Sequence, residues 1–168
     1  MSKPTLRFIV ATLRHKWFVY LAGRRLGVPL WRLIVHDWTK FFLAGAYGAY
    51  LYGDDPGRQE HEAFQTAWLY HQNHEGHHWE YWIPRTRHTR GESGELVPQP
   101  TPDVLVREMV ADWIGATRAY AGKWPSKAEK WWWFEEHYHR MNLHPATRAL
   151  VKWYVDRWME DELWQGLK

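Results

Sequence analysis

The stretch Val35-His36-Asp37-Trp38-Thr39-Lys40 sets a histidine and an aspartate side by side, with an apolar run on either side of it. On a helix, neighbouring side chains diverge by about 100°. The two can therefore reach one object only if it lies in the cleft between their directions. A divalent cation fits that place, because neutral imidazole and carboxylate both ligate such ions. Lys40 stands one helical turn beyond Asp37 and can lean over the same point. A single His-Asp pair is a weak signal, so its meaning depends on what the rest of the chain supplies.

The chain supplies an unusual stock of ligands. Its 168 residues include 11 His and 14 Trp but no Cys. Disulfides, thiolate catalysis and cysteine-type zinc sites are excluded together, and the histidines make metal binding the first hypothesis. The length suits a single domain spanning 1–168 with a substantial core. No pattern of basic stretch, apolar core and cleavage site opens the chain. Its longest uncharged apolar run, Phe41 to Gly53, is shorter than the about 20 residues a membrane span needs. These features lead us to expect a cytoplasmic protein without a membrane partner. Residues 1–40 carry eight Lys or Arg against one acid, Asp37, whereas the remainder carries 14 bases against 18 acids. A basic first third favours a small anionic partner, with a nucleotide ahead of a nucleic acid.

Hydrophobic spacing predicts an all-α bundle of about six helices. Phe8, Ala11, Phe18, Val19 and Ala22 recur at helical intervals over 4–26, and His15 shares their stripe. Gly27 closes that helix and Pro29 opens a second, which carries Leu30, Leu33 and Ile34 into His36-Asp37 and continues or restarts through Phe41–Leu51. Gly53-Asp54-Asp55-Pro56-Gly57 marks a turn. A third helix is expected from Gln59 to His78, with His71, His74 and His78 sharing one face. Residues 84–100 form a long loop whose Arg85, Arg87 and Arg90 could make it a lid over an anion. Thr101 and Pro102 start a fourth helix to about Tyr120. Ser126 and Glu129 form a capping box for a fifth to about His139, and Pro145 opens the last, to about Leu163. The C-terminal helices, about 126–165, should pack on a metal-holding core of about 8–120. No strand-like alternation of useful length appears.

Several inward candidates converge on this scheme. His15 lies mid-helix on an apolar face. Glu108 and Asp112 stand at i and i+4 among Met109, Val110, Trp113 and Ile114, and an unpaired buried carboxylate there is unfavourable. A metal held by the histidines is an economical partner for Asp112; an ion pair with Arg14 or Arg118 is the simpler alternative. His61, His88, His137, His139 and His144 read as surface, cap or loop residues.

With these residues in order, the chain resembles the HD-domain metal-dependent phosphohydrolases. Their pattern is a His on an early helix, a His-Asp doublet and a later Asp around one metal on a helical bundle, which maps onto His15, His36-Asp37 and Asp112. The H-D-W-T-K run is similar to the superfamily's H-D-x-x-K, in which the lysine approaches the attacked phosphate. Members with two or more metals, such as the HD-GYP phosphodiesterases, add a single His and a His-His pair before the last Asp. His71 and His77-His78 stand in that order, although unusually close together and followed by W-E-Y-W-I-P in place of Gly-Tyr-Pro. The His-Asp-Lys and Glu-x-x-x-Asp-Trp stretches also look similar to a small group of phage and bacterial proteins.

The resemblance implies a hydrolase for a phosphoester or phosphoanhydride of a nucleotide, with one or two ions of Mn, Fe, Co, Ni, Mg or Zn; the sequence leaves a homo-oligomer open. Lys40, with Arg14, Arg85 and Arg87 as substrate contacts, would neutralise phosphoryl charge, and Glu108 or Glu75 could orient water. Three alternatives stand beside it. His74-Glu75-Gly76-His77-His78 matches the H-E-x-x-H zinc-hydrolase pattern, with His74 and His78 as ligands and Glu75 as base, although Gly76 weakens the helix there. An HD-type di-iron oxygenase could use the same histidines. A helical protein that binds nucleic acid without catalysis would use the basic third and the aromatics.

Overall fold

The computed structural model describes residues 1–54, 62–84 and 96–160. The helices are α1 (Lys3–Arg25), α2 (Leu30–Val35), α3 (Trp38–Phe42), α4 (Ala44–Tyr52), α5 (Glu62–His74), α6 (Asp103–Ala121), α7 (Trp132–His137) and α8 (Pro145–Glu160), with 3₁₀ turns at Trp79–Trp82 and Tyr138–Arg140. No strand occurs among the described residues; Ser126 and Glu129 form one isolated bridge. The all-α expectation holds.

Two long helices organise the bundle. α1 begins with Ser2 Oγ accepting from Thr5 N–H at 3.3 Å and ends near Gly27 at φ +72°. α6 lies so close to it that a Cβ added at Gly115 would sit 2.6 Å from the Val19 nitrogen. Only glycine permits that approach. Near the start of α1, Gly48 admits α4 in the same way against Thr5. Val19 and Ala22 join Val106, Met109, Val110 and Ile114 of α6, and α8 closes this interior with Val151, Val155 and Trp158. A smaller cluster of Phe8, Ala44, Tyr47 and Ala67 ties α4 and α5 to the start of α1.

Three expectations about helix extent are corrected. The second helix stops at Val35, and His36-Asp37 is a link between helices, not part of one; Asp37 has φ +58°, in the left-handed region. α5 stops at His74, so His77 and His78 lie beyond it, on a turn that Gly76 interrupts and that leads into Trp79–Trp82. Ser126 does accept from Glu129 N–H, at 3.3 Å, but the turn closes on itself and the helix begins only at Trp132. The proposed 84–100 lid, with Arg85, Arg87, His88 and Arg90, falls mostly outside the described residues, as do His61, Asp55-Pro56-Gly57 and the end of the last helix.

Candidate metal centre

Four structural segments deliver side chains to one buried point. α1 contributes His15, the α2–α3 link contributes His36 and Asp37, the end of α5 and the turn after it contribute His71, His77 and His78, and α6 contributes Glu108 and Asp112. His36, Asp37, His71, His77 and Glu108 are each at most 1 % exposed. Such a concentration of buried polar groups needs partners inside the protein.

Asp37 is the centre of the arrangement. Its Oδ2 lies 3.1 Å from His15 Nε2 and 3.7 Å from His36 Nε2, and Lys40 Nζ reaches it at 2.7 Å. Its Oδ1 faces the other way, 3.3 Å from His71 Nε2 and 3.7 Å from His77 Nε2. Asp112 Oδ1 completes the first side, at 2.9 Å from His15 Nε2 and 3.4 Å from His36 Nε2. His78 Nε2 completes the second, at 2.8 Å from His71 Nε2. The ligand atoms of His15, His36, Asp37 and Asp112 all lie within 4.8 Å of one another, and so do those of Asp37, His71, His77 and His78. The two groups share only Asp37.

The left-handed backbone at Asp37 lets one carboxylate serve both groups. It turns the chain sharply between α2 and α3, and aspartate tolerates this conformation better than most residues. Lys16 secures the turn from α1 by donating to the carbonyls of Ile34, at 3.1 Å, and His36.

Carboxylates and a hydroxyl behind the rings orient the imidazoles. His36 Nδ1 lies 3.1 Å from Glu108 Oε1, and His77 Nδ1 lies 3.4 Å from the same oxygen, while Arg32 holds Oε2. Glu108 thus stands behind one ring from each group. Thr39 Oγ1 donates to Glu75 Oε1 at 3.0 Å, so it accepts the proton of His71 Nδ1 at 2.6 Å. Nε2 of His71 is then left with its lone pair directed inward. His78 Nδ1 faces Glu80 Oε2 at 3.9 Å. The hydrogen bonds behind His36 and His71 are of the kind that holds metal-ligating histidines in one tautomer.

The donor set fits a metal on a direct test. His15 Nε2, His36 Nε2, Asp37 Oδ1 and His77 Nε2 are buried and make no hydrogen bond. Orphaned nitrogens and oxygens converging on shared points are unfavourable in the polypeptide alone. A divalent ion would satisfy them together. The electrostatics agree. Burial opposes ionisation of Asp37, yet Lys40 and His36 hold its carboxyl well below the usual range. Asp112 is held low, against burial, by His15 and His36. Burial also works against a proton on His36, but Asp37, Asp112 and Glu108 raise it to about 10. In the metal-free protein, that ring carries a proton where a cation would sit. Burial lowers His71, and burial with the neighbouring His77 and His71 lowers His78 well below the ordinary imidazole value. The rings of His71 and His78 therefore present neutral nitrogens.

A cavity of ≈ 530 Å³ opens onto this centre. Its polar end is His15, Lys40, His78 and Asp112, and its walls include Phe8, Tyr47, Phe64, Trp68, Trp113 and Tyr120. The Tyr120 ring lies parallel to that of His15, with centroids 6.2 Å apart.

The structure brings together His15, His36, Asp37, Lys40, His71, His77, His78, Glu108 and Asp112. Arg14 lies elsewhere: it lines a separate groove with Arg7, Tyr52 and Tyr120, and stacks over Phe18. Arg118 also turns to Phe18 and to the Gly122 carbonyl, so neither arginine pairs with Asp112. His74 bonds the Tyr70 carbonyl at 2.7 Å, away from both groups, and Glu75 serves Thr39, so the H-E-x-x-H trio does not converge. His137 and His139 bond carbonyls one turn back, and His144 accepts from Ala146 N–H at the start of α8. Thr39, Arg32 and Lys16 carry site functions that the sequence reading did not assign. For Thr39 the one available signal was its place inside H-D-W-T-K.

A family model described as a family of unknown function (DUF5662) matches residues 5–157, and the chain belongs to that family. No curated protein and no solved structure matches the chain.

Proposed function

We propose that this member of a family of unknown function is a dinuclear, HD-type metal-dependent phosphohydrolase acting on a mononucleotide or similarly sized phosphoester. The observation that carries this reading is the division of Asp37, with one oxygen toward His15, His36 and Asp112 and the other toward His71, His77 and His78. Two nitrogens and two carboxylates on one side, and three nitrogens with the shared carboxylate on the other, suit Mn²⁺, Fe²⁺, Co²⁺ or Zn²⁺. When bound, such ions supply an acidified water and polarise a phosphoryl oxygen.

The chain's own residues do the remainder. Asp37 and Asp112 remain ionised near neutrality and supply the negative charge that a cation pair requires. Lys40 stays protonated, since Asp37 outweighs the opposing effect of burial. Its ammonium is fixed at the polar end of the cavity, where it would balance charge on the phosphoryl group. Glu108 is committed to His36, His77 and Arg32, so its role is to position ligands; the same holds for Glu75 through Thr39. Aromatic walls offer faces on which a base can stack and exclude water around the reacting group.

The test is metal analysis of the purified protein combined with a panel of nucleoside monophosphates and triphosphates under Mn²⁺, Co²⁺ and Mg²⁺. The expected result is up to two bound ions per chain and phosphate release that vanishes in the His36→Ala, Asp37→Ala double variant. Retention of metal and hydrolysis by that variant would overturn the reading. One second reading rests on the same shared carboxylate: a di-iron oxygenase. Bound iron with oxygen-dependent turnover and no phosphate release would favour it.

A further inference from the structure

The outward surface of the basic first third is neither polar nor closed. Leu6, Val10, Leu13 and Trp17 of α1 recur at spacings of four, three and four, and each is between 50 and 59 % exposed. At about 100° per residue, this row lies nearly opposite the buried row of Phe8, Thr12, His15, Val19 and Ala22. A second exposed set follows on α2 and α3: Trp31, Ile34, Val35, Trp38 and Phe42, each between 46 and 68 % exposed. The Lys16 ammonium joins the two segments through the carbonyls of Ile34 and His36. These two sets leave nine large apolar side chains of α1–α3 exposed, and large exposed apolar areas mark interaction sites.

Charge identifies the occupant. Lys3, Arg7, Arg14 and Arg25 fall within about 40° of one another on the flank of the apolar row, and all are exposed. Among residues 1–53 the only acid is Asp37, which is buried in the metal centre. Every exposed Lys, Arg, Asp or Glu that α1–α3 contribute is therefore cationic. A second copy of the chain is a poor match, because a symmetric contact would bring the same basic row against itself. A nucleic acid would answer the cations, but it offers nothing to the aliphatic side chains Leu6, Val10, Leu13, Ile34 and Val35. An anionic lipid surface answers both at once. Phosphate headgroups meet the Lys and Arg, the acyl boundary takes the aliphatics, and tryptophan suits the interface between them.

We propose that α1, with the exposed side chains of α2 and α3, seats this protein on an anionic lipid surface. No helix among the described residues is long and apolar enough to cross a membrane; the helix lies in the interface. The sequence-based expectation of no membrane partner considered only spanning segments. The proposal is independent of the phosphohydrolase reading, because the lipid-facing row and the ligands occupy opposite faces of α1.

Co-sedimentation tests it, using vesicles of phosphatidylcholine alone and of phosphatidylcholine mixed with phosphatidylglycerol. The wild-type chain should pellet with the mixed vesicles, should largely ignore the neutral ones, and should release as salt rises from about 0.1 M to about 0.5 M. A Leu6→Ser, Val10→Ser, Leu13→Ser variant should bind roughly tenfold or more weakly. A Lys3→Gln, Arg7→Gln variant should bind more weakly and with less salt dependence. Unchanged helicity and metal content would show that both remain folded. Three results would overturn the proposal: no pelleting with anionic vesicles, wild-type lipid binding by the triple serine variant, or a concentration-dependent dimer that the serine substitutions dissolve. A labelled single-stranded oligonucleotide bound equally by the wild type and the triple serine variant, with no vesicle binding, would transfer the surface to nucleic acid.

Discussion

α1 and α6 are shared by two interiors of opposite character. On one side Val19 and Ala22 meet Met109, Val110 and Ile114, and α8 seals the space with Val151, Val155 and Trp158. On the other, His15, Glu108 and Asp112 from the same two helices enclose His36, Asp37, His71 and His77. The first interior is complete as it stands, because apolar groups need only contact and exclusion of water. The second is a set of buried charges and lone pairs that the polypeptide only partly satisfies. The apolar interior thus specifies the fold, and the polar one has the composition and spacing that could hold a cation. Stability and ligand binding should separate cleanly along this boundary.

The largest effect should come from Asp37→Asn. Asparagine keeps an acceptor and tolerates the left-handed backbone, but it removes the anion that both ligand groups share. Both ions should be lost in metal analysis, while the helical spectrum stays intact. A variant that still binds two ions would break the proposed division between the interiors. Next is chelation. At a metal concentration about a thousandfold above Kd, binding adds about 4 kcal/mol, a melting shift on the order of 10 °C for a chain of this size.

The pH dependence of that shift sharpens the comparison. In the metal-free protein His36 is raised to about 10. Its proton-linked stability is complete below the unfolded value of about 6.5 and is lost as pH climbs through 10. In the loaded protein the ligand nitrogens must be unprotonated, so metal affinity grows with pH and falls in acid. Melting curves in chelator and in Mn²⁺ should therefore diverge from pH 6.5 upward. Parallel curves would count against metal binding at His36.

Ile114→Ala, on the apolar side, should destabilise the protein by about 2–5 kcal/mol, equally with and without metal. Glu108→Gln should behave in the opposite sense. Loss of the carboxylate behind His36 and His77 should weaken metal binding by about 10–100-fold, with a smaller change in the melting temperature of the chelated protein. A Glu108 variant whose entire effect persists in chelator would mean that the residue belongs to the fold and not to the site.

Sequence reasoning picked out the residues that converge better than it described their setting. His15, His36-Asp37, His71, His77-His78 and Asp112 were legible because residue type and chain order carry metal chemistry without any knowledge of backbone path. The path itself was not. Helical spacing placed His74 beside His71 and His78, but the helix ends at His74, and His77 and His78 reach the second group from the turn after it. Arg14 looked like a substrate contact because charge counts do not reveal direction; one helix has faces toward the site and away from it. Thr39 and Glu75 showed no periodicity of their own, and their role arises only where the α2–α3 link meets the end of α5.

The backbone at Asp37 has a consequence for how this position can vary. Glycine and asparagine accept its conformation but lack two equivalent anionic oxygens. Glutamate has the oxygens, yet its longer side chain and aversion to positive φ deny it the same reach. Among the twenty side chains only aspartate meets both demands. A saturation library at residue 37, sorted once for folding and once for metal content, should return two lists that share a single member.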